Sequence, residues 1–285
     1  MAFTIVIDES GIPWSDYGEY NGLSIGRQRS VLAVAERGLY YWNKFKLGSG
    51  QPVLLSYDWS RYPANKGNEP NGSEAAKDML RNCADWLLDH ISDRSSFVVW
   101  TYPYPFSYNT SPGWRSAQTQ AVGLQLLLRQ YALSQDSRYL RYFDGLLNAF
   151  NVRVEDGGVL DFDSAGIPWL EKFADSTNAK PRILNGMLFA LIGLCDVIAA
   201  GFPQARAIFD MGIESVIKYL PRYDLGDWSS YDILGRRSSL HYHKVHIAQL
   251  DFLFKATLRE QFKHFHDRFY RYQKNRADPS NRTRT

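Results

Sequence analysis

Apolar residues recur mainly three and four positions apart along this 285-residue chain, a period that gathers them on one face of successive helices rather than alternating them across strands. The spacing predicts helices over 25–46, 73–90, 116–133, 137–150, 183–199, 204–219 and 239–271, the last broken near Ala256. Several starts are legible: Asn71-Gly72-Ser73, Asp136-Ser137 and Pro203 ahead of Gln204 each supply cap or first-turn chemistry. Strand signals are confined to 3–7, 96–102 and 152–162, the last interrupted in hairpin style at Asp156-Gly157-Gly158. Short paired helices imply a mainly α fold, a helical-hairpin (α/α) toroid or incomplete barrel with short β-hairpins at one end.

One internal echo bears on that picture. Asp8-Glu9-Ser10-Gly11-Ile12-Pro13-Trp14 recurs as Asp163-Ser164-Ala165-Gly166-Ile167-Pro168-Trp169, about half the chain later. It is either one structural unit used twice or a convergence of turn chemistry. The stretch 61–73 is loop by composition and too short to link domains. A chain of this length buries roughly 75% of its unfolded surface, enough for one core without staples. A single domain over 1–273 and a disordered basic tail over 274–285 are expected.

Composition narrows the function classes. Net charge is only +3, and the basic bias concentrates after Lys263, in Arg268, Arg271, Lys274, Arg276, Arg282 and Arg284, as in a solvated helix end. No nucleic-acid partner is expected. Cys83 and Cys195 sit in apolar helical runs and read as small core residues rather than a disulfide or metal site. No basic leader precedes an apolar stretch and no run of 18 apolar residues occurs, so a cytoplasmic protein without membrane insertion is expected. The unusual number is the aromatic count: 18 Tyr, 8 Trp and 16 Phe, many in polar segments, where rings with polar tips suit carbohydrate faces as well as loop packing.

Phosphate-loop, dinucleotide, HExxH and GxSxG patterns are all absent from the sequence. Three clusters carry candidate chemistry. Tyr231-Asp232 to His246 includes Arg236, Arg237, His241, Tyr242 and His243; residues two apart on a helix point to different sides, so the histidines do not read as a metal site. Trp169-Leu170-Glu171-Lys172-Phe173 runs toward Asn185-Gly186, with Glu171 either a base beside a sugar ring or a loop carboxylate paired with Lys172 or Arg182. Tyr104–Gln120 is an aromatic loop entering a helix start, a place that favours anions.

In this order the clusters resemble the D-glucuronyl C5-epimerase family. The resemblance rests on Gly113-Trp114-Arg115-Ser116-Ala117 with Gln120; on Leu184-Asn185-Gly186 with Leu191-Ile192-Gly193-Leu194; on Gly212, Glu214-Ser215, Leu220-Pro221, Tyr223-Asp224 and Gly226; and on Tyr231-Asp232 with Tyr242-His243, His246-Ile247 and Gln249-Leu250. Residues 1–50 match more loosely. The resemblance implies a helical toroid that inverts C5 of D-glucuronate to L-iduronate within a heparosan-like, uronate-rich acidic polysaccharide, with no cofactor and no metal. A homodimer is one expectation for its assembly. The large N-terminal β domain of the animal members is not matched, which implies a shorter or different glycan.

Carried over position by position, the resemblance makes Tyr242 and Tyr231 catalytic and Asn185 a substrate ligand. Arg236 or Arg237 would bind the uronate carboxylate, although the loop between Tyr231 and Tyr242 is shorter than the family's. Trp114, Gln120, Trp169, Tyr223, His243 and His246 complete the expected substrate-binding set. One departure stands out: the family's W-Y-E-E-Y run reads Trp169-Leu170-Glu171-Lys172-Phe173 here, with Lys172 on the catalytic Glu. Either Glu171 shifts by one to serve as the base, or the chemistry has changed to that of a polysaccharide lyase or a non-catalytic glycan-binding homologue.

Overall fold

The computed structural model describes residues 4–49, 69–177 and 180–277. Eight helices are present among them: α1 (Val31–Ser49), α2 (Ser73–Asp89), α3 (Ala117–Ser134), α4 (Phe143–Asn148), α5 (Leu184–Ala199), α6 (Ala205–Tyr219), α7 (Leu240–Thr257) and α8 (Glu260–Ala277). Nine short strands accompany them: β1 (Thr4–Ile7), β2 (Pro13–Asp16), β3 (Glu19–Tyr20), β4 (Leu23–Ser24), β5 (Arg27–Gln28), β6 (Ser92–Asp93), β7 (Val98–Val99), β8 (Leu160–Phe162) and β9 (Pro168–Leu170).

Odd-numbered helices pack in the order α1, α3, α5, α7, and each carries an even-numbered partner: α2 on α1, α4 on α3, α6 on α5, α8 on α7. The burial pattern explains the layering. Every residue from Ala117 to Leu128 of α3 and from Leu184 to Leu194 of α5 is buried, as suits an inner helix, whereas α2 buries one stripe, Ala76, Leu80, Cys83, Ala84 and Leu87. The result is an α/α toroid of four hairpins. Among the described residues no seam of comparable extent joins α7 back to α1, so the ring is open there.

The predicted helices are present, with changes at several ends and joints. The one expected over 25–46 opens at Val31, because Arg27–Gln28 pair with β2 and the Ser30 hydroxyl accepts the Ala33 amide at 3.4 Å. The one expected over 137–150 is split into a 3-10 turn at Ser137–Leu140 and α4; Tyr139 and Arg138 turn there to bond Asp85 at 2.5 and 2.9 Å. The break expected near Ala256 falls at Leu258, in the left-handed region at φ 56°. Of the strand predicted over 96–102 only Val98–Val99 forms, and α8 extends to Ala277, into the segment expected to be tail. Residues 50–68, covering most of the predicted loop, lie outside the described residues, as do 278–285.

The hairpin predicted at Asp156-Gly157-Gly158 is instead a 3-10 turn, and the chain reverses at Asp163–Ile167, the second copy of the echoed segment. Both copies build the same turn. Asp8 Oδ1 accepts the amides of Ser10 and Ile12 at 3.0 and 2.9 Å; Asp163 Oδ1 accepts those of Ala165 and Ile167, both at 2.8 Å. Gly11 and Gly166 take φ of 85° and 73°, which side chains rarely adopt. Ile7 then faces Pro13, and Phe162 faces Pro168. The echo is one structural unit used twice.

The second hairpin decides which side chains reach the interior of the ring. Side chains alternate along a strand, and the Glu171 amide continues the β8–β9 pairing by donating to the Val159 carbonyl at 2.8 Å. Trp169 and Glu171 therefore share the face of Asp161, toward Tyr219, Tyr223 and Arg182, whereas Lys172 takes the opposite one. Glu171 is fully buried and, among the described residues, forms no ion pair, so burial and the charge of Asp161 push its carboxyl up to about 8, against the pull of Arg182. A carboxyl raised in this way favours the folded state below its unfolded value, near 4.5, and loses that contribution as pH rises through about 8. Glu171→Gln should therefore gain stability over the parent between pH 5 and pH 9, by on the order of 2–4 kcal/mol in urea melts.

Candidate active site

A cleft of about 1190 Å³ opens where the ring is unclosed, with α1 on one wall and α7 on the other. From α1 come Leu32, Ala33 and Glu36; from α7, Tyr242, Val245, Ala248 and Asp251; the N-terminal hairpins add Tyr17 and Tyr20. Lys172, Phe173, Asn185 and Tyr231 line the rest beside Trp114 and Phe106. Five cationic side chains, Lys172, Arg236, Arg237, Lys244 and Lys255, face the space against two carboxylates, Glu36 and Asp251, and Lys255 already bonds Asp251 at 2.6 Å. The balance favours an anionic ligand.

Lys172 is the unexpected occupant. Although buried, its ammonium donates to the Tyr231 hydroxyl at 3.3 Å and sits 5.7 and 5.5 Å from the ring centres of Tyr231 and Tyr242. Those rings lie 4.7 Å apart. Room for its stem comes from Gly186: a Cβ there would fall 2.5 Å from the Lys172 Cβ. Burial lowers the ammonium below the ordinary lysine value, while the Tyr242 phenol and the Glu36 carboxylate act to raise it.

Local chemistry fixes the two tyrosines. Asp232 Oδ1 accepts the amides of Leu234 and Arg236 at 3.0 and 3.1 Å, folding the loop so that Tyr231 N–H reaches the Arg236 carbonyl at 2.6 Å. The Tyr108 hydroxyl donates to Asp232 Oδ2 at 2.6 Å from the aromatic loop, and the Leu184 amide donates to the Tyr231 carbonyl at 3.1 Å. Ser239 caps α7 by accepting the Tyr242 amide at 3.3 Å, so Tyr242 stands in the first helical turn. Gln249 Nε2 donates to the Asn185 carbonyl at 3.0 Å, locking α7 to the start of α5. Among the described residues, no hydrogen bond reaches the buried Asn185 side-chain oxygen.

Of the expected residues, the fold gathers Tyr242, Tyr231, Asn185, Arg236, Arg237 and Trp114 around one space. Trp114 stacks on Tyr102 at 3.9 Å; Arg237 is held by Asp227 at 2.8 Å, and Arg236 lies 4.8 Å from the Tyr108 ring centre. The others are not in the cleft lining. Gln120 clamps the Trp100 backbone, accepting from its amide at 3.3 Å and donating to its carbonyl at 3.1 Å. Trp169 stacks on Tyr223, whose hydroxyl donates to the Arg182 carbonyl at 2.5 Å. Glu171 points to the same far side.

His243 and His246 both contact the Ser229 hydroxyl through Nδ1, at 2.8 and 2.9 Å, and His243 also bonds the Phe269 carbonyl at 3.0 Å and stacks on Trp228. Burial depresses them to about 4 and about 3, so both imidazoles are neutral at physiological pH and tie the 228–239 loop to α7 and α8.

Glu36 is the lining residue that the cluster reading passed over. Its signal was a lone Glu36-Arg37 pair within the apolar run Val31–Trp42. Arg37 is accounted for by Glu69 at 3.0 Å, and Glu36 is left facing the cleft, pushed up to about 7 by burial and drawn back by Lys172.

The family model for the D-glucuronyl C5-epimerase C-terminus matches residues 93–271. An uncharacterized protein of Methanocaldococcus jannaschii is 35% identical over 258 residues, covering 88% of this chain and 80% of that protein. A D-glucuronyl C5-epimerase of Caenorhabditis elegans is 30% identical over 195 residues, 60% of this chain but only 31% of the nematode protein. Among solved structures, a glycoside hydrolase family 76 mannosidase from Bacteroides thetaiotaomicron superposes with a TM-score of 0.54 over 94% of this chain and 67% of its own. A D-mannose isomerase gives 0.51 over 94% and 66%. At 12% identity, both share the fold alone. The sequence match spans most of the ring and all three clusters, and the chain belongs to the D-glucuronyl C5-epimerase C-terminus family.

Proposed function

We propose that this chain is a uronate C5-epimerase, converting D-glucuronate to L-iduronate residues in a heparosan-like acidic polysaccharide by proton exchange with solvent. The observation that carries the proposal is the buried Lys172 ammonium set against the phenols of Tyr231 and Tyr242 at the bottom of a cationic, aromatic-walled cleft.

The chemistry asks for such an arrangement. Breaking the C5–H bond beside a carboxylate leaves an electron pair that spreads into the carboxylate as an enediolate, and a positive charge placed in advance stabilises it most. Lys172 supplies that charge, while Arg236 offers an exposed guanidinium to the polymer's carboxylates. The unpaired Asn185 oxygen would accept a sugar hydroxyl, and Trp114, Tyr17 and Tyr20 offer rings to sugar faces.

Tyr242 suits the acid's part. Lys172 is the strongest influence on its phenol and pulls it down, but burial and Tyr231 hold it above the ordinary tyrosine value. It therefore keeps its proton at neutral pH and can deliver it to the carbanion. Tyr231, pushed up to about 12 mainly by burial, stays a donor as well.

Heparosan incubated with the full chain in deuterated water should acquire deuterium at C5 of its uronates and iduronate signals in its NMR spectrum. Tyr242→Phe should slow both by about 100-fold or more. An unsaturated uronate with chain shortening would assign a lyase instead, and absence of label in every uronate polymer tried would contradict the proposal.

A further inference from the structure

Both phenols enter the cleft from the α7 side, Tyr242 on the helix and Tyr231 on the loop before it, and both hold their protons at neutral pH. Inversion at C5 needs a second group, one that accepts a proton from the other face of the ring. The opposite wall is α1. Its Leu32, Ala33 and Glu36 are spaced to share one helix face, and two of the three are apolar.

Glu36 is half-buried and, among the described residues, engages neither a hydrogen bond nor an ion pair; Asp251, the other lining carboxylate, is taken up by Lys255. A carboxylate partly withdrawn from water and bonded to no partner adds little to the fold. The charge of Lys172 acts on it, and its own charge acts on the Tyr242 phenol, with no bond to either, which leaves space between the two walls.

Resting on the epimerase reading above, we propose that Glu36 is the catalytic base of this cleft, drawing the C5 proton onto its carboxylate from the α1 side while Tyr242 returns a proton from the α7 side. The C5–H electron pair passes into the uronate carboxylate as the enediolate, held against Lys172, and the new C5–H bond takes the phenol proton. Glu36 then releases its proton to solvent and Tyr242 regains one, so the enzyme is restored without oxidant or reductant. Lys172 thus stands where a cation is needed, and the carboxylate comes from a different element, across the open seam of the ring. A carboxyl raised to about 7 is matched to base catalysis near neutral pH. The charged group that acts on it is Lys172, beyond β9, and the titratable group that it acts on in turn is Tyr242, on α7.

The test is Glu36→Gln in the full chain, with heparosan in deuterated water. C5 exchange should fall about 100-fold or more in kcat with little change in KM, and Glu36→Asp should restore part of the rate. The parent's rate should rise with pH through an apparent value near 7 that is missing from the residual rate of Glu36→Gln. Folding is checked separately: removing an unpaired half-buried charge should leave the melting temperature at pH 8 equal or higher. A Glu36→Gln protein that keeps the parent's rate and acid limb, or that loses activity only through KM, overturns the assignment while leaving C5 exchange intact. A parent protein that exchanges no C5 proton overturns both.

Discussion

A lysine ammonium held out of water between two phenols is the interaction on which this cleft depends. Isolating such a charge is expensive unless neighbours compensate for the lost hydration. Lys172 has that compensation from the Tyr231 hydroxyl at 3.3 Å, from the ring faces around it and from Glu36 across the gap. It has space because α5 begins with Asn185-Gly186, and a side chain at Gly186 would occupy the Lys172 stem. The Asn-Gly pair therefore serves two purposes: it leaves an unpaired amide oxygen at the cleft, and it makes way for the charge beside it.

The rest of the molecule delivers these groups. The Asp163 turn sets the phase of β9, and that phase sends Lys172 inward and Glu171 outward. The His243 and His246 imidazoles, kept neutral by burial, grip Ser229 and so pin the loop that carries Tyr231 and the arginines. Because, among the described residues, the ring does not close between α7 and α1, the walls stay apart and the cleft stays accessible.

Helices were legible in the sequence because a three-four period is local and survives tertiary context. Strand pairing was not: the Asp156-Gly157-Gly158 signal lost to the Asp163 turn, whose pattern was visible only as an echo of residues 8–14. In the site, Tyr242, Tyr231, Asn185, Arg236, Arg237 and Trp114 line one cleft, as a shared motif would arrange them. Gln120, Trp169, Tyr223, His243 and His246 belong to the same motifs but brace the backbone, since a motif preserves supports and contacts alike and composition does not separate them. Glu171 and Lys172 exchange places through a one-residue alternation that needs the strand's phase. Glu36 lay in the N-terminal stretch where the resemblance was loosest, signalled only by a charge within an apolar helix.

Following lysine side-chain NMR signals as a function of pH shows whether Lys172 is a desolvated cation belonging to the cleft. One resonance, absent in Lys172→Arg, is expected to titrate below the ordinary value near 10.5 and to shift when a glucuronate oligosaccharide is added. A Lys172 signal that titrates like the surface lysines and ignores the oligosaccharide would put the ammonium in solvent and outside the binding cleft.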